Sequence, residues 1–199
     1  MWLWKVLQQA IGLFTEGGLN VGNLAKQFFG IFLQVRTTSY GIGVWFIPCI
    51  FCAFVILFFI IKISKNNSVY TMLLSSMCLI IGYLYAKFVN IKLPWGIDAA
   101  LVAVFFMALG IVFKNTKGTD LLVNLTKKSA LLILAASLVL NALFTYLNWR
   151  ILKRTVGMWS NNYGNLVYFI LAALFGIVII LCFSKIVCIT VFCKKFANN

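Results

Sequence analysis

The sequence predicts an all-α integral membrane protein: about five transmembrane helices, preceded by amphipathic helices at the N-terminus. Three observations carry that expectation. Hydrophobic residues make up 63% of the 199 and charged residues only 10%, too few to cover a soluble domain of this size. The mean hydropathy is +1.04. The basic residues recur in ones to fours between long uncharged runs, as Lys and Arg do among lipid head groups. Only helices or closed barrels satisfy the backbone in hydrocarbon, and these runs lack the period-two alternation of strands.

Residues 1–42 read as an interfacial segment. MWLWKVLQQAIGLF and AKQFFGIFLQVR each mix aromatics with charge, which places Trp2, Trp4, Phe28 and Phe29 at the lipid boundary. The alternative is that residues 1–14 are the end of a helix that starts upstream. Gln8 and Gln9 break the apolar run and no small-residue cleavage site follows, so no secretory signal is evident. Insertion is then expected through the first true span.

Residues 43–185 hold the five spans. The first, Val44 to Ile61, is 18 uncharged residues, roughly 27 Å as helix. Thirteen of them are Leu, Ile, Phe or Val, worth roughly −4 to −8 kcal/mol toward insertion. Pro48 falls in the first turn, where its missing N–H matters least. The second span lies within Asn66 to Ala86, with Tyr70, Tyr83 and Tyr85 expected as interfacial aromatics. The third is short, Ala99 to Phe113, and must borrow length from the preceding LPWGID. There Pro94 forces an extended or turn approach, and Asp98 suits the first helical turn. The fourth lies in Ser129 to Trp149; its one strongly polar interior residue, Asn141, needs a partner on another helix or in a wet cavity. The fifth is Leu166 to Phe183, with Gly176 available for close helix contact. Residues 186–199 form a short tail.

A net charge of +14 raises the question of nucleic acid, but the charge is dispersed over the gaps rather than clustered on one face, so none is expected as a partner. Orientation is undetermined: alternate sides carry eight and nine basic residues. Six cysteines lie in apolar surroundings, and Cys49 and Cys52 form a C-x-x-C inside the first span. With no His and only Glu16, Asp98 and Asp120 as acids, a zinc site lacks further ligands, and the cysteines read as small apolar side chains. The same shortage argues against catalysis by this chain alone. Acid–base work uses His or paired carboxylates, a Ser or Cys nucleophile lacks a His base, and Asp98 and Asp120 flank opposite ends of the third span. A channel would want polar residues on several spans, where only Asn141 is evident.

Three segments are the candidates for a functional surface: GVWFIP before the first span, Lys87 to Asp98 with LPWGID, and Arg150 to Asn165, RILKRTVGMWSNNYGN. Each sets a Trp or Tyr beside a polar or turn-forming residue at a membrane boundary. Spacing alone favours the plainer reading, an aromatic belt with ordinary helix caps.

Taken in order, the same segments resemble the membrane acyltransferase family 3, in particular its sugar O-acetyltransferase branch with fucose 4-O-acetylase-like enzymes. Val44-Trp45-Phe46-Ile47-Pro48-Cys49-Ile50-Phe51 is similar to the family's Trp-Phe-Leu-Pro-x-Leu-Phe. Leu93-Pro94-Trp95-Gly96-Ile97-Asp98-Ala99-Ala100, with a span ending Ala108-Leu109-Gly110, resembles its Leu-Pro-Trp-Gly-x-Asp-x-Ala. Asn162-Tyr163-Gly164-Asn165 is similar to its Tyr-Gly-Asn start of a span. The likeness covers roughly Gly41 to Lys185 and corresponds to the C-terminal half of the family fold.

The resemblance implies transfer of an acyl group, usually acetyl from acetyl-CoA, to a hydroxyl of a cell-surface sugar, in a bacterial plasma membrane. A His of the family's first span would activate the hydroxyl. This sequence has no His, and it lacks the Asp that family members often carry before Tyr-Gly-Asn, where Val156-Gly157-Met158 stands. No catalytic residue therefore carries over. What carries over is a supporting role around the acceptor or donor channel for Trp45, Trp95, Asp98, Tyr163 and Asn165. The resemblance thus leads to the expectation of an incomplete chain, inactive alone, whose missing N-terminal half or larger membrane partner supplies the base. The alternative is a small non-enzymatic membrane protein acting as an accessory subunit.

Overall fold

The structure, a computed structural model, describes residues 45–89, 91–116, 118–153 and 155–187. The expected interfacial helices of residues 1–42 and nearly all of the tail lie outside the described residues. Within them the elements are α1 (Phe46–Ile63), α2 (Ser68–Phe88), a 3-10 turn (Pro94–Gly96), α3 (Ile97–Asn115), α4 (Gly118–Asn124), α5 (Lys127–Leu152) and α6 (Leu166–Val187). Five helices are long and apolar enough to cross a membrane, the 3-10 turn continuing into α3 as the third. Large apolar side chains such as Phe51, Phe58, Leu132 and Ile180 lie exposed on their outer faces, as a surface covered by lipid requires.

The spans run two to four residues past the expected limits at several ends. The reason is visible at their boundaries. Charged residues there sit on the last turns instead of terminating the helix: Lys62 on α1, Lys87 on α2, Lys114 on α3, Arg150 on α5 and Lys185 on α6. A long basic side chain can extend beyond the helix from inside its last turn, so the backbone need not stop where charge begins. Real caps do the stopping. The Asn67 side chain accepts the Val69 and Tyr70 amides at the start of α2, and Thr126 accepts the Ser129 amide at the start of α5; each such cap is worth about 1 kcal/mol. The short helix α4 was not foreseen. It occupies the linker between the third and fourth spans, and Lys185 Nζ donates to the Val123 carbonyl at 2.7 Å, tying it to α6.

The helices pack as two groups. In the first, α3 lies between α1 and α2. Its contacts run along small residues: Cys49 and Ala53 of α1, Ser75, Gly82 and Ala86 of α2, and Ala99, Ala100 and Ala108 of α3 are all buried. Without a hydrophobic drive between helices in lipid, such residues let backbones approach and gain dispersion contacts. Gly82 is the tightest point: a Cβ there would lie 2.9 Å from Val102 Cγ2 and 3.0 Å from Leu101 Cβ. The second group is the α5–α6 hairpin. Phe144 stacks on Phe175 at 5.8 Å, and Asn141 Nδ2 donates to the Ala172 carbonyl at 2.7 Å, which supplies the interhelical partner the sequence demanded. Gly176 is not the close contact expected of it, because a Cβ there would meet Asn141 at an ordinary 3.5 Å.

Because successive spans alternate in direction, the N-terminal ends of α1, α3 and α6 and the C-terminal ends of α2 and α5 share one membrane face. The candidate site forms at that face.

Candidate functional site

The site starts from the approach to α3. Leu93 is extended, as a residue before proline must be, and Pro94 opens the 3-10 turn. Trp95 (φ 58°) and Gly96 (φ 65°) then both take left-handed conformations. At Gly96 the reason is steric: a Cβ would lie 3.2 Å from Cys49 Cβ, so α1 presses on the turn. The Trp95 ring packs at 6.2 Å against Phe51, on the outer side of α1. Two residues on, Asp98 is 1% exposed.

The 155–165 loop meets this turn. Gly157 and Asn162 form an antiparallel bridge, with the Gly157 amide donating to the Asn162 carbonyl at 2.9 Å and the Asn162 amide returning at 3.2 Å. The bridge closes a tight turn in which Asn161 is left-handed (φ 57°), a conformation Asn tolerates better than most residues. That places the Asn161 side chain inward, where Nδ2 donates to Asp98 Oδ2 at 2.5 Å in a buried contact. Trp159, on the same turn, meets Trp45 edge-on at 5.9 Å, and the Lys92 ammonium lies 4.8 Å from its ring centroid.

The chain then enters α6 through Tyr163-Gly164-Asn165, held by two helices. Asn148 of α5, 1% exposed, donates from Nδ2 to the Tyr163 carbonyl at 3.0 Å and accepts the Asn165 amide on Oδ1 at 2.9 Å. Tyr83 of α2 donates its hydroxyl to the Gly164 carbonyl at 2.9 Å. Asn165 caps α6 by accepting the Val167 amide at 2.9 Å, and the Tyr163 ring packs edge-on against Phe169 at 5.1 Å. Three consecutive backbone units are thus bonded to α2 or α5. Beside them opens a cleft of about 520 Å³, walled by Asn161 to Asn165, Tyr83 and Lys87, with Ala86, Ile151 and Leu152 as its apolar part.

Of the residues singled out from sequence, Trp45, Asp98, Tyr163 and Asn165 fall within this constellation, and Trp95 lies on the adjoining turn. The three segments meet one another: Trp45 packs on Trp159, Asp98 bonds Asn161, and Asn165 is the helix cap that the plainer reading expected. Asn148 and Tyr83 lie outside the three segments, and Asn161 lies within the third without being singled out there. Tyr83 was placed as an interfacial aromatic, yet its hydroxyl is engaged by the α6 approach. Asn148 lies two turns beyond Asn141 on one face of α5, and that seven-residue spacing was the available signal.

Chemically, the site offers amides, phenols, one buried carboxylate and a flanking ammonium. Groups of these types can hydrogen-bond hydroxyls; here Tyr83, Asn148, Asn161 and Asp98 are engaged with one another's loops, and Asn162, Asn165 and Lys87 line the cleft beside them. Among the described residues no group of three His, Cys, Asp or Glu could hold a metal, and the sequence has no imidazole to act as a base.

The fold and site define a multi-pass helical membrane protein with a polar cleft at one membrane face. The family model for the acyltransferase domain matches residues 7–198, and the chain belongs to the membrane acyltransferase family 3. No curated protein and no solved structure matches it.

Proposed function

We propose that this membrane acyltransferase acts on cell-surface carbohydrate, with acetyl-CoA as the acyl donor, in a bacterial plasma membrane. We further propose that the base comes from outside these 199 residues, from a His-bearing N-terminal half or a larger membrane partner. In the reaction the base takes the proton of a sugar hydroxyl. The hydroxyl oxygen attacks the thioester carbonyl, the C–S bond breaks, and the coenzyme thiolate leaves and takes up a proton. This chain contributes the positioning surface. The observation that carries the reading is the polar cleft built against the Asp98–Asn161 pair, in a chain of this family that has no His of its own. Proximity and orientation of this kind supply a large part of the barrier reduction in group transfer. Asp98 is locked to Asn161 and is assigned to hold the loop, not to move the proton.

The test uses membranes from cells that produce the chain in its native genetic context, supplied with radiolabelled acetyl-CoA. Alkali-labile acetate should appear on membrane carbohydrate, disappear when the chain is deleted, and be absent with the purified chain alone in lipid. Transfer by the purified chain overturns the need for a partner. Unchanged acetate after deletion overturns the acyl-transfer reading and favours an accessory role.

A further inference from the structure

The cleft lies in a seam of the fold. α2 packs on α3, α5 packs on α6, and among the described residues α2 and α5 scarcely touch. The cleft sits beside the last turns of these two helices, between Tyr83, Ala86 and Lys87 on one side and Ile151 and Leu152 on the other. A cleft so placed admits a ligand sideways from the bilayer as well as from water.

Its lining is divided in the same sense. On the wall formed by the 161–165 loop Asn162 is half-buried and Asn165 exposed, and side-chain amides of this kind suit vicinal hydroxyls, the Asn165 Oδ1 also capping α6; Asn161 is buried against Asp98 behind them. The α5 side is aliphatic. Lys87 is exposed at the rim on the last turn of α2, a point charge suited to one phosphate. The volume of about 520 Å³ falls within the roughly 300–1,000 Å³ of small-ligand pockets. That accommodates a headgroup of one or two sugar rings. Amide wall, aliphatic flank and rim cation together describe an amphiphile.

We infer that the carbohydrate acceptor enters this cleft as a phosphate-bearing glycolipid, its sugar against Asn162 and Asn165, its phosphate at Lys87 and its hydrocarbon along the α2–α5 seam. The inference rests on the reading of the chain as a carbohydrate acyltransferase and adds the form in which the acceptor is presented.

The experiment measures binding to the chain in neutral-lipid nanodiscs by native mass spectrometry. The probes are a synthetic alkyl-phosphate N-acetylglucosamine, N-acetylglucosamine 1-phosphate without a chain, and dioleoyl phosphatidic acid without a sugar. The glycolipid should bind at least about tenfold more tightly than either control, since each control lacks one class of contact. Lys87→Gln and Asn162→Ala should each weaken it several-fold; Asn162 makes its bridge through the backbone, which alanine retains. Ile151→Trp narrows the mouth from an exposed position and should weaken it without unfolding the chain. Equal binding of phosphatidic acid, or indifference to all three variants, overturns the inference. If the membranes of the preceding section acetylate a soluble oligosaccharide as well as the glycolipid, the inference fails while the acyl-transfer reading stands. If the glycolipid binds as described but no acetate is transferred, the acyl-transfer reading fails instead.

Discussion

Asn148 and Gly164 are fitted to each other. A Cβ at position 164 would lie 2.1 Å from Asn148 Oδ1, and that same oxygen accepts the Asn165 amide at 2.9 Å. Glycine at 164 serves twice: it takes the left-handed backbone (φ 68°) and leaves room for the amide that holds the loop on α5.

Gly164→Ala should therefore be among the most damaging single-methyl additions in the chain. Left-handed alanine costs about 1–2 kcal/mol, and displacing Asn148 strands buried polar groups for about 1–3 kcal/mol more. Thermal unfolding in detergent should show a clear loss. In an Asn148→Ala background, where the obstructing oxygen is gone, the added loss from Gly164→Ala should shrink to the backbone part alone. An undiminished loss in that background would contradict the fit.

The Asp98–Asn161 contact separates into a strain part and a bonding part. Asn161→Gly keeps the left-handed turn but removes the donor to Asp98; Asn161→Ala removes the donor and adds the strain. Both should destabilise, alanine by about 1–2 kcal/mol more than glycine. Chemical denaturation in micelles compares the two, and equal values would show that the turn is relaxed.

Gly82 sets how closely α2 approaches α3, and so where Asp98 starts. Gly82→Ala brings a Cβ within 2.9 Å of Val102 and 3.3 Å of the Asp98 carbonyl. The helices must part slightly, at about 1–3 kcal/mol. Gly82→Leu should prevent the pair from closing. Cysteine crosslinking between the two helices would report the separation, and an unchanged crosslinking pattern in the leucine variant would count against this packing.

Asn141→Leu should be close to neutral. Its bond to Ala172 lies near the middle of α5, but interhelical hydrogen bonds in membranes average only about 0.6 kcal/mol. Leucine inserts more favourably than asparagine, which offsets much of that loss. A change above about 2 kcal/mol in hairpin stability, read by steric trapping or detergent titration, would show that this amide does more than join α5 to α6.

Much of this protein is written locally in its chain. The five spans follow from apolar runs long enough for a bilayer, the turn at Pro94 from the ring of one residue, and the start of α6 from the Asn165 cap. Each depends on neighbours within a few residues, because hydropathy, propensity and capping act over one or two helical turns. That is why the fold class and the approximate spans were legible, while helix ends were misjudged where lysines sit inside the last turn. The meeting of Asp98 with Asn161, 63 residues apart, and of Tyr83 with Gly164, 81 apart, was decided only by tertiary packing. No local signal specifies which buried amide finds which carbonyl; that follows from how closely Gly82 lets α3 approach and from how α5 carries Asn148 to the loop. The sequence by itself determined which segments cross the membrane, and the tertiary structure determined that their polar ends make one site. The reason is that burial in lipid is a property of each helix, whereas a hydrogen-bonded cleft is a property of the angles between them.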